Sequence, residues 1–267
     1  MAAAAPPRLL RSSLVHLGAT SVRLVAGVGR MTRFGGCILL ALVRPPLRAR
    51  KLMREVYDTG VLSLAIVGAS GLAVGMVLGL QGYNTLVRFG AESSLGAVVG
   101  LTLIRELGPV LTALLVAGRA GSAATAEIGA MVATEQIDGL RMMSIDPVHF
   151  VAMPKAIALA AVMPLLSGIF IVLLVAGGYL VGVNLLGLDG GAYMSSLENA
   201  VEFSDDVAGS LLKSWIFGML VGLVATYRGY SSAPNAAGVS RATTSTVVTS
   251  SVCILLFDYV ITSLWGF

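Results

Sequence analysis

Leu101-Thr-Leu-Ile-Arg-Glu-Leu-Gly-Pro109, continued by Gly118-Arg-Ala-Gly121 and ending at Glu135-Gln-Ile-Asp-Gly139, is the stretch from which the rest of the chain is read. Arg105 and Glu106 lie about eleven residues into an apolar run that begins near Ser94, and at roughly 1.5 Å per residue that is close to the middle of a bilayer. An adjacent cation and anion are costly there. Membrane helices keep such groups mainly where they face a cavity, a partner helix or a transport path. Pro109 adds to the polarity, because it removes the hydrogen bond to the carbonyl at i−4, which belongs to Arg105. The stretch predicts a bent membrane helix whose charges form either a functional site or a structural ion pair between helices. Beyond Gly121 it predicts departure from the bilayer into a small-residue amphipathic segment.

Composition agrees with a membrane chain. Hydrophobic residues make up 56% and charged ones 12%, and the mean hydropathy is +0.88; a soluble domain with a large core does not reach this balance. The two cysteines, Cys37 and Cys253, stand far apart within apolar runs. They give neither a disulfide framework nor a metal-ligand spacing, and no metal site is expected.

The first 54 residues hold ten Arg or Lys and no acid before Glu55. Arginines interrupt this segment too often for the apolar core of a secretory signal, although an organellar transit peptide fits the composition. Helical projection offers a fuller account. Leu10, Leu14, Leu17, Leu24, Val28 and Met31 fall on one face, with Arg8, Ser12, His16, Arg23 and Arg30 opposite. That pattern predicts a basic amphipathic helix lying in the inner membrane face over residues 1–54, followed by a membrane domain over 55–267.

Five stretches are long enough to span: Val61–Leu80, Ser94–Val116, Ala156–Leu188, Val207–Tyr227 and Ala242 to about Trp265. The third has room for a re-entrant or tilted part. If the N-terminus is inside, fifteen of the eighteen basic residues fall on the inner side. The positive-inside rule then fixes an N-in, C-out topology. The expected fold is an all-α polytopic helix bundle with an N-terminal interfacial helix, five transmembrane helices and an inner loop over 117–155. The outer stretch Asp189–Asp206 carries five acids and reads as a solvated loop or a docking surface.

Gly71, Gly75 and Gly79 form a smooth stripe on the first span, which predicts close helix packing. Thr243-Thr-Ser-Thr246 and Thr249-Ser-Ser251 give the fifth span a hydroxyl surface suited to a helix interface, including one between two copies. Lys213 and Asp258 each lie about seven residues from the outer end of their spans, so they are expected at one depth and paired, since two unpaired charges there are costly.

Enzyme chemistry finds no support. Gly68-Ala-Ser-Gly71 matches a GxSG protease signature, but His16 and His149 both lie outside the spans and no base is placed beside the serine. Asp258 has Glu106 as its one intramembrane carboxylate companion, without aspartyl-protease flanking motifs. No phosphate-binding GxxxxGK[ST] loop occurs, so ATP is not hydrolysed by that route. Two classes of function remain besides a plain scaffold: a transporter driven by a separate ATPase, and a proton-coupled secondary transporter using Glu106 and Asp258. The second lacks paired discontinuous spans in two matching halves. The inner loop favours the first. Glu127, Glu135 and Asp138 alternate there with Ile128, Met131, Val132, Ile137 and Leu140, a pattern suited to a partner's groove.

Leu103-Ile-Arg-Glu-Leu-Gly-Pro-Val110, Ala117-Gly-Arg-Ala-Gly-Ser122, Thr125-Ala-Glu-Ile-Gly129, Ala133-Thr-Glu-Gln-Ile137 and Gly238-Val-Ser-Arg-Ala-Thr-Thr244 closely resemble the MlaE family. The resemblance runs from about Pro46 to the C-terminus. It implies the permease subunit of a Mla-type ABC transporter, which moves phospholipid between the inner and outer membranes of Gram-negative bacteria and maintains outer-membrane lipid asymmetry. It further implies a homodimer in the inner membrane, an ATPase subunit (MlaF) on the inner loop, a STAS-domain subunit (MlaB) on the ATPase, and a periplasmic MCE-domain hexamer (MlaD). ATP and Mg would belong to the ATPase, with no cofactor in this chain and no nucleic-acid partner. By the same resemblance Arg119, Glu127, Glu135 and Asp138 fall in the ATPase-coupling element. Leu78, Leu86 and Phe89 would line the lipid path, joined by the charges Arg105, Glu106, Lys213 and Asp258.

Overall fold

A computed structural model describes residues 8–43 and 49–265. Over these the chain is built from helices, with no strand. In chain order they are α1 (Arg8–Val43), α2 (Ala49–Leu86), α3 (Glu92–Ala133), α4 (Gln136–Met142), α5 (Val148–Leu185), α6 (Gly190–Ala200), α7 (Asp205–Tyr230) and α8 (Ala236–Trp265). Five of them, α2, α3, α5, α7 and α8, are long and apolar enough to cross a membrane. The expected five-span bundle is thus present, and the protein is a multi-pass membrane protein.

The bundle is built around α5. Its Leu159, Met163, Leu166, Phe170 and Leu174 are almost fully buried, with α2 on one flank and α7 on the other. The α2 residues that are buried, Ser63, Val67, Gly71, Gly75 and Gly79, recur every fourth position and so form a single ridge. Small residues let the backbones touch: a Cβ at Gly75 would lie 2.0 Å from the Leu174 carbonyl oxygen, and one at Gly177 would lie 2.4 Å from that of Leu72. Gly218 and Gly222 bring α7 close to Leu159 and Ala156, whose carbonyl oxygens a Cβ would meet at 2.9 and 2.8 Å. In lipid the apolar driving force between helices is weak, so this close van der Waals fit supplies much of the association.

Two of the spans gain detail. The third apolar run, where a re-entrant part was left open, is one continuous helix over Val148–Leu185 that passes through Pro164. The helix of the second span continues past Gly118–Gly121 and runs unbroken to Ala133. Pro109 is absorbed by a π turn over Leu103–Leu107, in which the Gly108 amide reaches back to the Leu103 carbonyl. A second π turn occupies Ala117–Gly121. Such widened turns insert one residue without ending the helix.

The loop expected over 117–155 is consequently mostly helix. Ile137 and Leu140 fasten α4 to Ile128 of α3 and Val151 of α5. The acidic stretch Asp189–Asp206 is also ordered as helix, with Asp189 capping α6 by accepting the Ala192 amide at 2.7 Å. Gly96 and Gly100 of α3 receive Tyr193 and Leu197 of α6. Burial pushes the Tyr193 phenol up to about 12, so it stays neutral at physiological pH. The last turns of α1 rest Phe34 and Ile38 on Met153, Ala156 and Leu223. The side chains of Arg8, Leu10, Ser12, Leu14, His16, Leu17, Arg23 and Leu24, on which the amphipathic expectation mostly rests, lie outside the described residues, as does all of 44–48.

The α2–α5 contact sets the first prediction. Gly75→Val should destabilise the purified protein by about 3 kcal/mol, the upper range for overpacking, whereas Gly139→Ala meets nothing within 4 Å and should leave stability unchanged or raised. Equal thermal denaturation midpoints for the two variants in one detergent would contradict this packing.

Candidate functional site

The i+4 ridge of α8 runs through Ala242, Thr246, Ser250 and Ile254, all buried, and the same spacing continues to Asp258 and Thr262. Both therefore turn toward the bundle, where α7 presents Lys213. The Lys213 ammonium is 3% exposed at the side chain and lies 2.9 Å from Asp258 Oδ1. It also donates to Thr262 Oγ1 at 2.9 Å and to Glu106 Oε2 at 3.1 Å. The Asp258 contact is an ion pair without hydrogen-bond alignment. A further donation, to the Arg105 carbonyl at 3.3 Å, serves the oxygen whose helical partner Pro109 removes. One lysine thus bridges two carboxylates and occupies the backbone gap made by the proline.

Arg105 and Glu106 do not form the mutual pair that their adjacency suggested. Arg105 Nε donates to Asp206 Oδ1 at 2.6 Å, and Glu106 turns to Lys213. Asp206, expected in a solvated loop, has a fully buried side chain and also accepts the Glu202 amide at 2.9 Å. It occupies the first turn of α7, so the Arg105 end of the cluster lies toward the α6 side of the bundle rather than at its centre. Glu106 keeps about a third of its side-chain exposure and Arg105 a similar share. The expected Lys213–Asp258 contact is present; Glu106 and Thr262 complete it.

The other expected lipid-path residues sit differently. Leu78 and Leu86 are partly buried against the main core, while Phe89 is 78% exposed on the short turn after α2. The hydroxyl surface of α8 serves the chain's own fold: Thr246 meets Thr125 at 2.9 Å, and Thr249 accepts from Arg228 at 3.2 Å. The opposite face of α8 is apolar and open, including Val248, Val252, Leu255 and Tyr259.

A second polar region gathers at the other end of α3. Arg119 donates to the carbonyls of Asp58 and Thr59 and to Ser63 Oγ, and Glu127 pairs with Lys155. Both engage neighbouring helices. Glu135 and Asp138, by contrast, are exposed around α4, Asp138 being held by Arg141 at 2.7 Å. Beside them stand Met142 and Met143, 83% and 64% exposed, which the sequence reading passed over. Adjacent methionines at the end of a short helix, next to charged residues, were the available signal, since Met suits adaptable contact surfaces. Glu135 and Ser144 bracket α4 with positive φ of 58° and 59°, a backbone state uncommon outside glycine.

Comparison with known proteins agrees with the motifs. A family model described as Permease MlaE matches residues 52–264. The chain belongs to the MlaE permease family. Among relatives, it is 46% identical over 236 residues to the intermembrane phospholipid transport system permease protein MlaE of Haemophilus influenzae, covering 87% of this chain and 90% of that one. A probable ABC transporter permease protein of Rickettsia bellii is 41% identical over 249 residues, or 93% and 96% of the two chains. The chloroplastic protein Trigalactosyldiacylglycerol 1 of Arabidopsis thaliana is 32% identical over 228 residues, or 85% and 65%. An MlaE-family chain is a transporter component and not an enzyme.

The cluster yields a stability cycle. Removing one member of a buried ion pair strands its partner at about 3–5 kcal/mol, somewhat less here because Glu106 is partly open. Lys213→Met, which strands two carboxylates, should therefore be the worst single change. Adding Asp258→Asn should recover part of the loss, and Glu106→Gln more, in denaturation measured in detergent. Strictly additive losses would separate these groups energetically.

Proposed function

We propose that this chain is the permease subunit of an ABC transporter that moves phospholipid between the inner and outer membranes of a Gram-negative bacterium, maintaining lipid asymmetry in the outer one. The observation that carries the reading is the partly open charged cluster of Arg105, Glu106, Lys213 and Asp258 beside an unpartnered apolar helix face. Leu255 and Tyr259 flank Asp258 on α8 and are exposed, so polar and apolar lipid parts would meet suitable surfaces within a few ångströms of each other. The printed function of the Haemophilus influenzae relative supports phospholipid as cargo. Two copies would enclose the path between their α8 faces, with Leu78, Leu86 and Phe89 toward its α6 end.

Energy would come from a separate ATPase of the MlaF type, carrying ATP and Mg and bearing the MlaB subunit. Its docking face would be α4, with Glu135, Asp138, Met142 and Met143. Arg119, Arg141, Lys155, Arg228 and Arg241 fall on the α4 side, whereas Asp189, Glu198 and Glu202 fall on the α6 side. The positive-inside rule then makes the α4 side cytoplasmic in the inner membrane, leaving the α6 side for the periplasmic MlaD hexamer.

Lipid transfer by the reconstituted complex between two vesicle populations, in both directions, tests the reading: transfer should require ATP, and transfer indifferent to ATP would reject it. Glu135→Arg with Asp138→Arg should reduce ATPase co-purification at least about tenfold, a loss on the order of 1.4 kcal/mol, without lowering insertion of the permease. An unchanged yield would remove α4 as the docking face.

A further inference from the structure

α2 extends well beyond the length a bilayer needs. Its 38 residues make a rod about 57 Å long against roughly 30 Å of hydrocarbon, and the excess lies on the α4 side, over residues 49–60. This overhang is gripped by several residues between 119 and 155. Arg119 donates to the Asp58 and Thr59 carbonyls and to Ser63 Oγ. Lys51 donates to the Phe150 carbonyl at 2.7 Å and stands 3.9 Å above that ring. Lys155, 7% exposed, donates to Glu55 of α2 at 2.8 Å and at the same time to Glu127 of α3.

The two carboxylates differ in setting. Glu55 is mostly enclosed, while Glu127 is 63% exposed and faces an open cavity of about 950 Å³ between the overhang and α3, lined also by Arg50, Arg54 and Asp58. Across that space Lys155 bridges the two carboxylates, beside the direct grip of Arg119 on α2. Further along, α2 packs closely against α5 through the glycine ridge, with Leu173 and Phe170 seated at Gly68 and Gly71. The overhang is the part of α2 that the segment 119–155 grips by charge.

We infer that Lys155 is the positioning residue that passes movement of the segment 119–155 to the first span. The inference rests on the transport reading above and gives it a route. When the docking face around α4 moves, α3 and the start of α5 carry Glu127 and Lys155 with them, and the enclosed Lys155–Glu55 pair draws the α2 overhang along.

The test uses the full reconstituted complex and measures ATP hydrolysis and lipid transfer in the same vesicles. Glu55→Gln cuts α2 from the ammonium while leaving Lys155 paired to Glu127. The lipid moved per ATP hydrolysed should fall at least about fivefold, the low end of ordinary coupling factors, with hydrolysis rate, assembly and detergent stability unchanged. Lys155→Arg keeps the charge and the reach and should keep the wild-type ratio. If Glu55→Gln lowers the thermal midpoint, Glu55→Asp, which keeps the charge but shortens the arm, should show the same fall. A wild-type ratio in the folded Glu55 variants, or a parallel loss of hydrolysis and transfer, overturns the assignment. A wild-type complex that hydrolyses ATP and moves no lipid overturns the transport reading instead.

Discussion

A lysine ammonium inside a membrane bundle must find its counter-charges on other helices, and Lys213 draws two of them together with a hydroxyl. It meets Glu106 on α3 and Asp258 and Thr262 on α8, so α7 cannot rotate or slide without exposing a charge to hydrocarbon. The same ammonium satisfies the Arg105 carbonyl. The proline that weakens α3 and the lysine that would be insoluble alone are thus tolerated together: each answers a deficit that the other creates. Arg105 and Asp206 extend the arrangement to the start of α7. Such a network adds little net stability compared with well-packed apolar residues. Its contribution is to fix register between helices whose glycine-rich contacts are otherwise smooth.

Hydropathy and length made the five spans legible, because an apolar run of about twenty residues has few other meanings. The Lys213–Asp258 contact was legible for a related reason: the cost of isolated charges in lipid turns equal depth into an argument for pairing. Adjacency misled at Arg105 and Glu106. Successive residues project about 100° apart on a helix, so neighbours in sequence face different helices. Asp206 was read as solvent-facing because its partner lies 101 residues away, and nothing local announces a burial that a distant arginine supplies. Helix ends were not legible, for a third reason. Hydropathy reports only the part of a helix that matches lipid, and the polar overhangs of α2 and α3 continue on hydrogen bonding and local ion pairs that no apolar count detects.

The two polar regions share one helix. Glu106 is paired with Lys213 and Glu127 with Lys155, and the 21 positions between them correspond to about 31 Å of α-helix. Arg105 and Arg119 are likewise each tied to another element, Asp206 in the first turn of α7 and the α2 overhang. α3 therefore holds ionic grips on its neighbours at both ends, with the π turns at Leu103–Leu107 and Ala117–Gly121 lying next to those grips. A widened turn is where a helix can gain or lose one residue of register at small cost. Between the π turns the helix is well packed: Val110, Ala113 and Val116 are buried in the main core. A stiff middle with adjustable turns beside each grip is a form that can carry displacement along its length. The charges of α3 are then less a pore lining than handles, by which one helix holds α2, α5 and α7.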